Sequence, residues 1–309
     1  MSKVCLVAGG AGFIGRHLCA KLLQNGYQVI CVDNLITGHK KNIESLLANK
    51  NFKFIKKDII KPLNFSPDFI FQLASPASPV DYQTHSEETL LANSIGTRNL
   101  LQLALKNKAR VVIASTSEIY GDPKEHPQKE SYLGNVNSFG PRSCYDESKR
   151  FAEALVYVYL HKYDLDIRIA RIFNTYGPIM QKDDGRVISN FINQALEEKD
   201  LTVYGQGVQT RSFCYVSDLV EGLYKLMFTP GLKGEVVNLG NPEEYTIIDL
   251  AKKIIAMTGT KSKITYKPFP QDDPMQRCPD ITKAKKLLDW QPRVASSEGL
   301  QKTIEYYRQ

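Results

Sequence analysis

Two hydrophobic periods alternate along the first half of the chain. Short runs rich in Val, Ile and Phe recur at Val4–Val7, Gln28–Val32, Phe52–Ile55, Phe69–Leu73, Val111–Ala114 and Ile167–Ile172, and runs of this length and make-up are strand signals. Between them lie stretches with helical spacing. Leu18, Cys19, Leu22 and Leu23 share one face and Gly26 supplies a stop; a second helix is predicted from about Ser94 to Lys106 on Ile95, Leu100, Leu101 and Leu103. Strands alternating with helices of this size predict an α/β fold built from βαβ units, a doubly wound parallel sheet covered on both faces.

Beyond about Phe173 the alternation breaks. The stretch NTYGPIMQKDDGR is polar and rich in turn formers, so it reads as a loop. After it the pattern predicts a helix near Val187–Glu197, a strand LTVYG, a turn-rich GQGVQTRSF, a helix near Asp218–Met227 and a strand VVNLG. Thr246 and Asp249 have the spacing of a capping box and should open another helix. The expected organisation is a nucleotide-binding sheet domain over residues 1–173, with 212–240 returning to it. Residues 174–211 and 241–309 should form a smaller, irregular α/β lobe for the substrate.

Composition narrows the class without naming it. At 42% hydrophobic and 24% charged residues the chain suits a globular fold. Its apolar runs fall far short of the roughly 20 residues a bilayer crossing needs, so no membrane association is expected. A strand pattern starts within MSKVCLVAGG and leaves no room for a signal peptide, which predicts a cytoplasmic protein. The 40 basic and 33 acidic residues give a net +7 that is scattered rather than gathered into a basic stripe, so no nucleic-acid partner is expected. None of the six cysteines forms a CxxC pair, and no Cys/His group has zinc-ligand spacing; no metal is expected, and the cysteines read as structural thiols.

Candidate chemistry begins at GGAGFIG, directly after the first strand and at the start of the first helix. Gly9, Gly12 and Gly15 permit a tight turn and close approach to a pyrophosphate, and the helix then offers free N–H groups, the arrangement of a Rossmann dinucleotide site. Asp33 ends the second strand, where a carboxylate accepts both ribose hydroxyls of NAD and repels the 2′-phosphate of NADP. NAD is therefore the expected cofactor. Asp58 ends the third strand, either at the adenine edge or as a solvated charge. The full cofactor set comprises Gly9, Gly12, Phe13, Ile14, Gly15, Asp33, Asn34, Asp58, Ile59, Leu73, Ala74, Ser75, Asn93, Tyr145 and Lys149.

Tyr145 and Lys149 stand one helical turn apart in CYDESKRFAEA. A free phenol with a pKa of ~10 is a poor base, and a neighbouring ammonium, helped by the positive nicotinamide, favours the phenolate. Thr116, at the end of the strand that feeds STSEIYG, can hydrogen-bond the same substrate oxygen and completes a Thr/Tyr/Lys set.

Taken together, GGAGFIG, LASPASPVDY, STSEIYGDPKEHPQ, GPRSCYDESKR, RIFNTYGP, VYGQGVQTRSF, NLGNPEE and DDPMQR resemble the extended short-chain dehydrogenase/reductase superfamily and, within it, the UDP-glucuronic acid decarboxylase (UDP-xylose synthase) family. The resemblance runs from about Lys3 to Tyr307. It implies that Tyr145 takes the proton of the sugar 4-hydroxyl while C4 hydride moves to NAD, with Lys149 and Thr116 assisting. The resulting 4-keto uronic acid loses carbon dioxide, C5 is protonated, and the hydride returns. Glu118 and Arg277 are the residues it places near the carboxylate and C5. Asn174, Arg186, Val187, Tyr204 and Arg211, together with Arg277, are the substrate-binding residues it implies, with Tyr204 either stacked on uracil or buried as a core aromatic. A homodimer formed through the Tyr145 helix is implied as well.

Three other functions compete. A nucleotide-sugar 4,6-dehydratase shares the first step but carries Asp where this chain has Ser117. A 4-epimerase needs room for the keto sugar to rotate. A silent NAD-binding sensor or scaffold would have no need of Tyr145, Lys149, Thr116 and Glu118. The chain departs from the family pattern at Ser148, at Ser138-Phe139 and at Leu133.

Overall fold

The structure is a computed structural model that describes residues 2–309. Its main sheet contains β1 (Val4–Ala8), β2 (Gln28–Asp33), β3 (Phe52–Lys56), β4 (Phe69–Gln72), β5 (Arg110–Thr116) and β6 (Ile167–Ile172), plus an edge strand at Val236–Leu239. The order is edge strand, β6, β5, β4, β1, β2, β3, and every neighbouring pair is parallel. The six strand runs thus fall where the sequence places them, and VVNLG does return to the main sheet beside β6.

Strand periodicity explains the two layers. In β1, Cys5 and Val7 pack into one core with Leu18 and Leu22 of α1 (Phe13–Gln24) and with Leu219 and Leu223. Leu6 and Ala8 point the other way, onto Leu100, Leu101, Val156 and Tyr159. A strand buried on both faces reads as a continuous apolar run, which is how VCLVA reads. Among the described residues no helix is long and apolar enough to cross a membrane.

Chain order reverses between β1 and β4, opening a crevice outside their carboxyl ends where ligands bind in such sheets. Gly9 follows β1 and Leu73 follows β4, so both border this crevice.

Three elements differ from expectation. The helix expected from Ser94 begins earlier, as Ser86–Leu91, passes through a π-helical turn at Ala92–Gly96 and continues as Thr97–Asn107. Its first part is polar (SEETL) and carries little apolar period to detect. The start of the expected loop after Phe173 is a two-residue strand, Thr175–Tyr176, paired with Cys214–Tyr215. Thr210–Ser212, expected as turn, is the centre of a small sheet flanked by Glu244–Thr246 and Gln276–Arg277. The expected helix, Ile247–Thr258, opens on a Thr246 cap whose Oγ1 accepts from the Asp249 N–H at 3.1 Å. The Asp249 carboxylate closes back onto the Thr246 hydroxyl at 2.6 Å rather than onto its N–H, so the reciprocal half of the box is absent. Trp290 is buried and donates to the Asp218 carbonyl, while the Asp218 carboxylate accepts from the Arg293 and Val294 N–H groups, stitching the C-terminal segment to the Val216–Phe228 helix.

Candidate active site

The glycine loop is shaped as a cradle. Gly9 has φ +80°, and a Cβ there would lie 2.7 Å from the Ala74 nitrogen; one on Gly15 would lie 2.0 Å from the Gly9 carbonyl oxygen. Gly12 is the N-cap of α1 and offers no side-chain cap, and no acid occupies the first turn. The helix therefore presents free N–H groups and its positive end to the crevice, as a pyrophosphate requires.

Beside the cradle, Asp33 is buried and accepts from the Ala11 N–H at 3.0 Å and the Leu35 N–H at 2.8 Å. Burial raises its pKa, and the two N–H groups oppose the rise. Asp33, Asn34, Asp58, Ile59, Leu73, Ala74 and Ser75 line a recess of about 90 Å³ that shares Gly9 and Gly12 with the main cavity. Asn34 donates to Asp58 at 2.8 Å, so Asp58 is a fixed wall of this recess rather than a free surface charge. The buried carboxylate, the side-chain-free cradle and the uncapped helix fit a dinucleotide. Asn93 lines neither cavity. From the π-helical turn its amide donates to Ser75 Oγ at 2.9 Å and Ser148 Oγ at 3.0 Å, so it braces the wall from behind.

The main cavity, about 610 Å³, brings together Gly12, Phe13, Ile14, Thr116, Glu118, Tyr145, Lys149, Asn174, Arg186, Val187, Tyr204, Arg211 and Arg277. Its volume is within the usual range of ~300–1,000 Å³ for ligand sites. Tyr204 is 41% exposed, which rules out the core-aromatic alternative and puts it on the rim. Val187 opens the helix Val187–Leu196, whose N-cap, Arg186, makes no side-chain cap, leaving a second helix start facing the same space. Arg186 itself forks onto Asp184, with Nη2 to Oδ2 at 2.6 Å.

Tyr145 and Lys149 lie on the helix Ser143–Tyr163. Thr116 lines the same cavity as the Tyr145 phenol, and its hydroxyl accepts from the Glu118 N–H at 3.2 Å. Lys149 Nζ donates to the Ala114 carbonyl at 2.8 Å and lies 5.7 Å from the Tyr145 ring centre. In the chain alone burial dominates both groups: it raises the phenol well above its usual range, against the pull of Thr116, and lowers Lys149 to about 7. In the chain alone the ammonium does not offset burial, and the positive nicotinamide of a bound cofactor would add to its pull on the phenol. Two groups buried together each favour the neutral form.

Glu118 is the hub of an ion-pair chain. Arg277 grips both its oxygens, with Nη2 to Oε2 at 2.8 Å, and Arg142 Nη2 adds a third contact at 2.6 Å. Arg142 reaches Asp273 at 3.3 Å, and Arg211 holds the other oxygen of Asp273 at 2.8 Å. Burial pushes the Glu118 carboxyl up, but the two guanidinium groups overcome it and hold it well below the usual range. Asp146 is buried with Oδ1 unpartnered, and burial followed by the charge of Glu118 raises it.

Arg142, Asp273 and Tyr82 were not singled out from the sequence, although each lies inside a motif quoted above. Tyr82 is buried, stacks on Tyr145 with ring centres 5.1 Å apart and planes 7° apart, and has no partner for its hydroxyl. No spacing rule connects position 82 with position 145; only the fold does.

The NAD dependent epimerase/dehydratase family model matches residues 5–240. Among curated proteins, UDP-glucuronic acid decarboxylase 1 of Danio rerio is 52% identical over 305 residues, spanning 99% of this chain and 72% of that protein. UDP-glucuronic acid decarboxylase 4 of Arabidopsis thaliana is 51% identical over 307 residues, 98% of this chain and 68% of that protein. Among solved structures, UDP-glucuronic acid 4-epimerase from Bacillus cereus, in complex with UDP-glucuronic acid and NAD, superposes with a TM-score of 0.90 at 31% identity, covering 99% of each chain.

Proposed function

The chain belongs to the NAD dependent epimerase/dehydratase family and, within it, to the UDP-glucuronic acid decarboxylases, and on that premise we propose that it converts UDP-glucuronate to UDP-xylose and carbon dioxide with its cofactor recycled. The observation that carries this reading is the meeting, in one cavity, of the glycine cradle, the Tyr145 phenol and the Glu118–Arg277 pair.

NAD fits the cradle and the Asp33 recess; bound there it would take two electrons and a hydrogen from sugar C4 and later return them. Gly9, Gly12 and Gly15 with the start of α1 hold its pyrophosphate, and Asp33 its ribose. The chain's residues do the rest. Tyr145, oriented by the Tyr82 ring and sharing the cavity with Thr116, removes the proton from O4 of the sugar. Lys149, low in pKa and anchored on Ala114, is suited to trade a proton with the phenol. Once C4 is a ketone, the C6 carboxylate is β to it, and the electron pair left when carbon dioxide departs settles on O4 as an enolate, to which the protonated Tyr145 and Thr116 donate hydrogen bonds. Glu118 and Arg277 would lie beside C5, where Glu118 holds the water that returns a proton to that atom. Arg186, Arg211, Asn174 and the start of the Val187–Leu196 helix hold the diphosphate, with Tyr204 at the uracil.

Ser117, buried at the cavity wall, offers no carboxyl group to help a C6 hydroxyl depart, which counts against a dehydratase. We place residues 1–173 and 212–240 in the cofactor domain and the remainder in the sugar-nucleotide lobe. The protein acts in the cytoplasm, in keeping with six free cysteines. It is a homodimer through the Ser143–Tyr163 helix, whose Phe151, Tyr157 and Val158 are apolar and about half exposed; sedimentation at twice the chain mass supports this, and at the chain mass refutes it. The activity is tested by incubating purified protein with UDP-glucuronate and identifying the nucleotide sugar by mass spectrometry. A UDP-pentose supports the reading, and UDP-galacturonate or unchanged substrate overturns it.

A further inference from the structure

Outside the active site, three metal-ligating side chains from distant parts of the chain converge. The ligand atoms of His126, Glu244 and Cys278 all lie within 4.8 Å of one another. His126 Nε2 donates to Glu244 Oε2 at 2.9 Å, and the other carboxylate oxygen, Oε1, accepts from Thr210 Oγ1 at 2.7 Å. Cys278 is buried and its thiol points to the Pro242 carbonyl at 3.4 Å. The side chains of His126 and Glu244 are 35% and 27% exposed, so solvent reaches the group from one side.

The backbone around these residues is already fixed. Gln128, fully buried and two residues from His126, donates its N–H to the Cys278 carbonyl at 2.8 Å. Its Oε1 accepts from the Cys278 N–H at 2.8 Å, and its carbonyl accepts from the Asp280 N–H at 2.9 Å. Glu244 and Arg277 stand on the two strands flanking Thr210–Ser212, opposite Ser212 and Arg211 respectively, which brings Glu244 and Cys278 together. The three ligands therefore ride on segments held in place by other bonds, and little ordering remains to be done when an ion enters.

We propose that His126, Glu244 and Cys278 form a binding site for a zinc-class divalent cation that clasps the 121–135 segment to the strand carrying Arg277. One imidazole, one carboxylate and one thiolate with an open, solvent-facing fourth position make the mixed N/O/S set that zinc accepts in tetrahedral geometry. Magnesium and calcium, which demand oxygen ligands, are excluded by the thiol and the imidazole. Binding releases the thiol proton to solvent and shifts the imidazole proton from Nε2 to Nδ1, and Zn²⁺ bonds to sulfur, the freed imidazole nitrogen, one carboxylate oxygen and a water; no electron is transferred. The Thr210 hydroxyl, which orients the carboxylate, is the kind of outer partner that metal ligands use. The proposal is independent of the sugar chemistry, and its readouts do not depend on turnover.

The test uses the full-length protein after chelator treatment, titrated with Zn²⁺ in a calorimeter and with Co²⁺ in a spectrophotometer. One equivalent of Zn²⁺ per chain is expected, together with a thiolate-to-cobalt charge-transfer band and a melting temperature raised by Zn²⁺ but not by Mg²⁺. Cys278→Ser should abolish the band. His126→Ala, on an exposed segment and folded on its own terms by metal-free melting, should bind Zn²⁺ at least about tenfold more weakly, since even outer-partner substitutions cost roughly that much. Absence of stoichiometric uptake, or uptake of equal affinity in the wild type and His126→Ala, overturns the proposal.

Discussion

Arg277 closes a bidentate clasp on the Glu118 carboxylate across 159 positions of sequence, joining the end of β5 to the C-terminal lobe. With side chains only 3% and 14% exposed, both partners are largely withdrawn from bulk water. Removing one charge from a buried pair costs up to about 3–5 kcal/mol; losing Glu118 leaves Arg277 without its carboxylate, whereas losing Arg277 leaves Glu118 still held by Arg142. Glu118→Gln should destabilise the protein by an amount of this order, Arg277→Met by less, and the double variant by clearly less than the sum. Denaturant melts of the four proteins check this; additive effects would contradict it.

The same carboxylate sets an acid limb to stability. Its pKa in the folded chain is depressed below the ordinary 4.5, to about 2. The unfolded chain therefore binds the proton more readily, and the stabilisation is complete above 4.5 and lost as pH falls from there toward 2. Wild-type stability should decline through that window, and the decline should be shallower in Glu118→Gln. Melting across pH with both proteins measures it.

Tyr145→Phe keeps the buried ring and its stack on Tyr82 but removes the group that moves the O4 proton. Turnover should fall roughly 100- to 10,000-fold, the usual worth of a general acid–base group, while the affinity for UDP changes little. Steady-state kinetics alongside UDP calorimetry separates the two.

Tyr82 contributes a ring rather than a hydroxyl. Tyr82→Phe retains the 5.1 Å stack and removes an unpartnered buried oxygen, so stability should hold or rise slightly and turnover should persist. Tyr82→Leu loses the stack, worth about 0.5–1.5 kcal/mol, and should lower turnover by letting the Tyr145 phenol move. Thermal melts and kcat for both variants check the contrast.

Asp33→Asn should weaken NAD binding about tenfold or more, the worth of a charge-assisted hydrogen bond, and narrow the preference over NADP by removing the charge that repels a 2′-phosphate. Fluorescence titration with both cofactors reads the ratio.

Local patterns carried a large part of this structure. The strand runs, the glycine cradle and the Thr246 cap depend on neighbours in sequence, and each is visible as a period, a glycine or a cap spacing. The π-helical turn at Ala92–Gly96 was hidden because the helix before it is polar and because Gly96 matters only through its approach to Ile59, where a Cβ would come within 2.6 Å. The charge network escaped for another reason. Arg142, Asp273 and Tyr82 gain their significance from partners far along the chain, as do His126, Glu244 and Cys278, whose spacing matches no metal motif. At Tyr145 the sequence shows a neighbouring charge, while the burial that opposes it belongs to the fold.

The most direct test of the account uses UDP-glucuronate carrying ¹³C in the carboxyl group and deuterium at C4. The account predicts that the carbon leaves as labelled carbon dioxide while the deuterium is found at C4 of the pentose, with no NADH accumulating. A product that keeps the carboxyl carbon, or a pentose whose C4 deuterium has washed into water, would contradict it.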